Sequence, residues 1–310
     1  MLELTLNQML VMASLIAVGY LLRRLKALPE SASVVMSRLE VYALVPALSL
    51  YTQITKCSVS HFLDNMHLMV YGLVAVLVCI AVAIPLSAVF AKGGYIRNVY
   101  KYALTFGNYG YMGNFIVLEL FGSDVFYRYT LVSFFVGLAC SSWGLYILIP
   151  KEKGASLIEN IKRFFKTPPF PALLIGMLIG LTGLSRYVPG FLLKALENAG
   201  NCQGPVAMLL AGFVIGGFDI KRLFKNTRVY AVTLLRLVVI PVLMAAVLKA
   251  IGTDSMTVTL LLVAFATPIG LNTVVYPTAY STEVETGAAM TVVSHLLSVV
   301  TLPFMFYLFV

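Results

Sequence analysis

The chain has 310 residues, 60% of them apolar and only 11% charged, with a formal net charge of +9. Soluble domains carry about 25% charged and about 45–50% apolar residues, so this composition excludes a cytosolic enzyme, a secreted disulfide scaffold and a disordered chain. The spare apolar surface has to face lipid, and the basic excess belongs at the cytoplasmic face of a membrane, not on a nucleic acid.

A helix needs roughly 20 apolar residues to cross the hydrocarbon layer. Ten such stretches can be drawn, over 5–22, 32–52, 66–91, 98–121, 124–150, 169–186, 191–217, 228–251, 256–279 and 284–309. The expected fold class is an all-α polytopic membrane protein. Arg23, Arg24 and Lys26 follow the first stretch, and no clear cleavage site is present, so span 1 reads as a retained helix and not a signal peptide. The connections after spans 1, 3, 5 and 7 hold 15 Lys and Arg residues, whereas the opposite side holds only Lys56, Arg186, Lys194 and Lys249. The positive-inside rule then puts both termini outside a plasma (cytoplasmic) membrane.

Span 4 reads LTFGNYGYMGNFIV over 104–117, where Gly107, Gly110 and Gly113 recur every three residues with Asn108 and Asn114 among them. Near the outer end of span 5, Asp124 and Arg128 have the spacing of a helical ion pair. The connection 151–168 holds Ser156 and Glu159 in capping-box spacing, followed by Leu157, Ile158, Ile161, Phe164 and Phe165 at helical spacing. Lys162, Arg163 and Lys166 take the other side, and Pro168 and Pro169 stop the run. This predicts a short amphipathic helix on the cytoplasmic membrane surface, serving as a spacer. In span 8, Arg236 lies at a depth where a guanidinium costs several kcal/mol unless paired or hydrated. It either draws an anion, pairs with a carbonyl at a broken helix, or snorkels to a boundary. Span 9 reads FATPIGLNTVVYPTAYS over 265–281, with Pro268, Gly270, Asn272 and Pro277.

The halves resemble each other. Pro46 and Pro205 are 159 residues apart, Pro85 and Pro241 156, and Pro150 and Pro303 153. Such steady offsets predict two five-helix repeats, 1–150 and 169–310, joined by the connector 151–168. Five is odd, so the second copy is inverted, a transporter signature with the substrate site near the midplane. The Gly- and Pro-interrupted spans stand fourth in each half. Gly and Pro weaken a helix, and a break within the membrane is tolerated only in protein or beside a polar cavity. Two broken helices crossing there would aim their N-termini at an anionic group, with Asn amides as further donors.

FGNYGYMGN followed by LELFG, and ATPIGLNTVVYPTAYS followed by SHLLSVVTLP, resemble the paired signatures of the auxin efflux carrier family, over nearly the whole chain. That family includes plant carriers and bacterial permeases for small organic acids. The resemblance implies ten helices in inverted repeats, a scaffold group and a mobile group, and crossed broken helices 4 and 9 at the substrate site. It also implies carboxylate recognition by Asn108 and by the crossover Pro268 to Asn272. The expected site is Asn108, Gly110, Gly113, Asn114, Pro268, Gly270, Asn272 and Arg236. The family often has Pro two residues after the glycine aligned with Gly113, whereas this chain has Phe115, so span 4 is expected to break less sharply than span 9.

Glu40, Glu119 and Glu197 lie in spans but away from the crossover, which leaves no carboxylate for a dedicated ion site there. His67 and His295 read as helix-packing residues ahead of proton carriers, Tyr100 and Tyr102 as interface anchors, and Tyr109 and Tyr111 as cavity liners. Cys57, Cys79, Cys140 and Cys202 lack metal-type spacing and read as small buried hydrophobes. No cofactor is expected. The partners are a small organic anion and membrane lipid, with no nucleic acid and with room for a homodimer. The leading expectation is a secondary carrier of a small organic anion. The alternatives are a sodium- or proton-coupled symporter of the same fold or, from another class, a membrane-embedded enzyme or receptor. The enzyme reading lacks paired intramembrane acids, a metal constellation and a convincing nucleophile–base arrangement.

Overall fold

The computed structural model describes residues 2–150, 156–280 and 282–309, which are helical with no β-strand among them. The connector's first residues, 151–155, and Ser281 at the end of the span 9 motif lie outside the described residues. Helix α1 (Leu2–Arg24) carries Glu3 in its first turn and Arg23 and Arg24 in its last, each matching the macrodipole. In α2 (Ala32–Lys56) the residues Glu40–Leu44 widen into a π turn just before Pro46. A proline lacks an N–H and crowds the carbonyl four residues back; the wider turn accommodates both.

Helix α3 (Val59–Phe90) starts with a polar stretch and is apolar all round from Leu68 onward. Leu68, Gly72, Val76, Cys79 and Ala83 bury one stripe, while Val70, Val74, Leu77 and Val78 on the other are each more than half exposed. An apolar helix with one bare apolar face is built for lipid on that face. Next come α4 (Gly94–Thr105) and α5 (Tyr109–Leu148). Forty residues at about 1.5 Å each would run roughly 60 Å, about twice the hydrocarbon layer. Gly122, at φ 76° and ψ −178°, interrupts α5 with a backbone conformation that only glycine adopts readily.

Helix α6 (Leu157–Lys166) begins with the expected capping box. The Ser156 N–H donates to Glu159 Oε2 at 2.7 Å, and the Glu159 N–H donates to Ser156 Oγ at 3.2 Å. These bonds hold the Glu159 carboxyl below its usual range. Helix α7 (Pro169–Leu181) leaves α6 at a bend of 52°. Then follow α8 (Gly190–Asn201), α9 (Gln203–Ile215) and α10 (Thr227–Ala250). The last repeats the α2 device, with a π turn at Leu235–Val239 before Pro241. The chain closes with α11 (Ser255–Ala266), α12 (Asn272–Ala279) and α13 (Glu285–Phe309).

By length and composition, six helices among the described residues can cross a membrane, or seven if the bent pair α6–α7 counts as one. Helix α1 lies along α9, and α2 packs on α7 and α8; α3 packs on α4 and α5, and α10 and α11 on α13. Two local expectations need correction. Asp124 pairs with Lys56 at 2.8 Å and not with Arg128, because the turn at Gly122 brings the start of the following helix to the end of α2. Cys57, Cys79 and Cys140 are buried as expected, but Cys202 is exposed at the α8–α9 junction.

Candidate functional site

Helix α4 stops at Thr105 and α5 starts at Tyr109; α11 stops at Ala266 and α12 starts at Asn272. The two interruptions meet, and Gly107 and Ile269 form an antiparallel bridge. The Asn108 N–H donates to the Pro268 carbonyl at 2.7 Å, and the Ile269 N–H to Ser294 Oγ on α13 at 3.0 Å. Backbone groups freed by the breaks thus find partners in each other and in a neighbouring helix, which lipid could not supply. Gly107 permits the approach. A Cβ there would lie 2.5 Å from Thr267 Oγ1, 2.6 Å from Arg236 Nη2 and 2.8 Å from the Thr267 carbonyl oxygen. The interruption is shorter in span 4, over 106–108, than in span 9, over 267–271. Phe115 lies inside continuous helix, packed where a Cβ on Gly204 of α9 would be.

Beside the crossing lies a cavity of about 410 Å³. Asn108, Gly110, Asn114, Gly270 and Asn272 line it, as do Tyr109 and Tyr111. Val41, Val45 and Ser49 of α2 and Pro169, Phe170 and Leu173 of α7 form another wall. Gly113, Pro268 and Arg236 do not reach it. Gly113 packs against the Tyr129 hydroxyl, Pro268 serves the bridge through its carbonyl, and Arg236 lies behind Gly107.

Asn108 is buried, and its carbonyl accepts from the Met112 and Gly113 N–H groups at 3.0 Å each, closing the first turn of α5. The N–H groups of Tyr109, Gly110 and Tyr111 precede that turn and have no helical carbonyl of their own. The side chain of Asn108 meets His295, whose Nδ1 lies 2.8 Å from the Thr291 carbonyl. A carbonyl only accepts, so Nδ1 carries the hydrogen, and Nε2 accepts from Asn108 Nδ2 at 3.4 Å. One Nδ2–H remains for a ligand. Across the cavity, Asn272 Nδ2 donates to the Tyr102 hydroxyl at 2.7 Å, and that hydroxyl lies 3.0 Å from Cys140 Sγ.

Arg236 is fully buried, and its Nη1 donates to the Phe265 carbonyl near the C-terminus of α11. The break removes the helical donor that carbonyl would have had, since the Ile269 N–H is spent on Ser294. The guanidinium therefore caps a negative helix end and lies behind Gly107, outside the cavity lining. Arg236→Leu should lower stability by about 1–3 kcal/mol, the cost of leaving a buried acceptor unpaired, while Arg236→Lys should recover part of it. Thermal unfolding in detergent reads this. Equal unfolding temperatures for both variants and the parent would remove the capping role.

Sequence reasoning missed several residues here. Tyr100 and Tyr102 are 2% and 1% exposed, and Tyr102 orients Asn272 instead of anchoring an interface. His295 orients Asn108. The connector supplies Asn160, Arg163, Phe164 and Thr167 to the cavity wall. Their positions at i, i+3, i+4 and i+7 mark one helical face, a signal hidden by grouping Arg163 with the exposed Lys162 and Lys166. Arg163 is the one charged side chain among the described lining residues.

A family model described as membrane transport protein matches residues 4–306. No curated protein matches the chain. With several apolar helices able to span a bilayer and a family match over nearly its whole length, the chain is a multi-pass membrane transporter that belongs to the membrane transport protein family, the family of the auxin efflux carriers.

Proposed function

We propose that this transporter carries a small organic anion, a carboxylate, by alternating access, and holds it where broken spans 4 and 9 cross. One observation carries the reading. Two interrupted helices cross beside a cavity lined by the opening residues of α5, Tyr109 to Tyr111, and by four Asn residues, with no carboxylate among the described lining residues. That set donates hydrogen bonds and presents positive helix ends, the chemistry that suits an anion. The binding group is Asn108, Gly110, Asn114, Gly270 and Asn272, with Gly113 and Pro268 shaping the two breaks and Arg236 supplying charge from behind.

In this reading the chain crosses the plasma membrane ten times, in two inverted five-helix halves over 1–150 and 169–310. Each interrupted pair, α4 with the start of α5 and α11 with α12, counts as one crossing, and Gly122 separates spans 4 and 5. Helices α1, α2, α7, α8 and α9 form the scaffold, and the group around the crossing moves against it. The reading assigns no catalytic step and no cofactor. Thermal stabilisation of the purified protein by dicarboxylates, keto acids and aromatic acids, followed by counterflow in proteoliposomes, tests it. A carboxylate that both stabilises the protein and exchanges in counterflow supports the carrier; flux without counterflow indicates a channel instead.

Orientation has its own test. Single cysteines at Lys162 and Lys194, in a background without the native four, should label from opposite sides of intact cells, Lys194→Cys from outside. Labelling of both from outside contradicts termini that face outward.

A further inference from the structure

Helix α6 was expected to be a spacer, yet one of its faces forms part of the cavity. Building on the carrier reading above, we propose that Arg163, held at the cavity mouth by α6, is the residue that selects anions on their way to the crossing. Asn160, Arg163, Phe164 and Thr167 share the face turned to the cavity, while Lys162 and Lys166 are exposed away from it. Arg163 itself remains exposed, so it meets both solvent and the cavity. None of the ion pairs among the described residues uses it. The described lining has no acidic side chain, and the carboxylate its charge acts on, Glu159 one turn back, lies outside that lining and is bonded to Ser156; a charge bordering a partly apolar cavity in this way focuses a field on an entering ion. Its planar fork also suits a carboxylate better than an ammonium does.

The sequence holds this helix in place at both ends. The Ser156–Glu159 capping box makes α6 a self-contained unit. Phe164 packs tilted and Phe165 edge-on against Phe170 of α7, at 5.1 Å and 4.7 Å between ring centres, and Phe170 lies 6.0 Å from Phe134 of α5. Helix α6 also packs on the π turn Cys140–Gly144, which contains the Cys140 that meets Tyr102 and thereby Asn272. The backbone that carries Arg163 is thus fixed relative to the crossing.

Binding of benzoate, succinate and pyruvate to the full-length protein in detergent, read from stabilisation against concentration, tests the proposal. For whichever of the three the parent binds, Arg163→Gln should raise the half-saturating concentration roughly tenfold, and Arg163→Glu should raise it further. Arg163→Lys should stay within about threefold of the parent. The difference between parent and Arg163→Gln should shrink near 1 M salt, where the screening length falls to about 3 Å. Lys162→Gln, the same charge change on the exposed face, should leave binding unchanged. Parental affinity in both Arg163→Gln and Arg163→Glu, or an equal shift in Lys162→Gln, overturns the role of Arg163. If that happens while Asn108→Asp still loses binding, the carrier reading stands without this residue. If the parent binds none of the three probes, or Asn108→Asp binds as the parent does, the reading of the site fails and takes this proposal with it.

Discussion

Asn108→Ala should weaken binding of the carried anion ten- to a hundredfold, and Asn108→Asp should weaken it more. The alanine removes a hydrogen bond to a charged group, worth about 1.5–3 kcal/mol, and each 1.4 kcal/mol or so is tenfold in affinity. The aspartate keeps the size of the side chain but sets a carboxylate against a carboxylate. Both variants should remain folded, because apart from the 3.4 Å side-chain bond to His295 the contacts of Asn108 within the crossing run through its backbone. Its N–H still reaches the Pro268 carbonyl, and its carbonyl still accepts from Met112 and Gly113. Titrations on monodisperse protein read the effect. Parental affinity in Asn108→Asp would mean that the anion binds elsewhere.

The second large effect is expected at Gly107. Its Cβ would enter the space of Thr267 and Arg236 at 2.5–2.8 Å, and one of those contacts is a backbone carbonyl that cannot rotate away. Overpacking of this kind costs about 1–3 kcal/mol, and more where a backbone has to shift. Gly107→Ala should therefore lower the unfolding temperature and abolish transport by parting the two crossed segments. Gly110, three residues on, has nothing within 4 Å of where a Cβ would go, so Gly110→Ala should unfold at the parental temperature. Equal thermal stability of the two variants would contradict the tight crossing.

Much of this architecture was legible in the sequence because membrane helices advertise themselves locally. Length, apolarity and the Gly and Pro interruptions belong to single segments, so both breaks, their Asn residues and the amphipathic connector with its capping box could be read directly. The less sharp break expected in span 4 came instead from the family resemblance, in which Phe115 stands where Pro is frequent, and the interruption there is the shorter of the two. What escaped depended on contacts across the fold. Tyr102 resembles an interface anchor until α12 brings Asn272 against its hydroxyl, and His295 resembles a packing residue until the crossing carries Asn108 to it, 187 positions away in the chain. Asp124 matched Arg128 by spacing, but the turn at Gly122 offered it Lys56. Arg236 was recognised as costly, yet a sequence cannot say which helix end a guanidinium will cap. Arg163 was grouped with its basic neighbours because a run of lysines and arginines reads as one solvated face. Only the packing of Phe164 against Phe170 of α7 shows that the face carrying that arginine borders the cavity.

An anion held at the crossing of two broken helices should be visible in a structure of the full-length protein with the carboxylate that stabilises it best. That structure should place the carboxylate within hydrogen-bond distance of Asn108 Nδ2 and of the N–H groups that open α5, with Gly270 and Asn272 on its other side. A carboxylate found in the separate polar cavity lined by His61, Asp64, Arg128 and Asp254, with the crossing unoccupied, would contradict it.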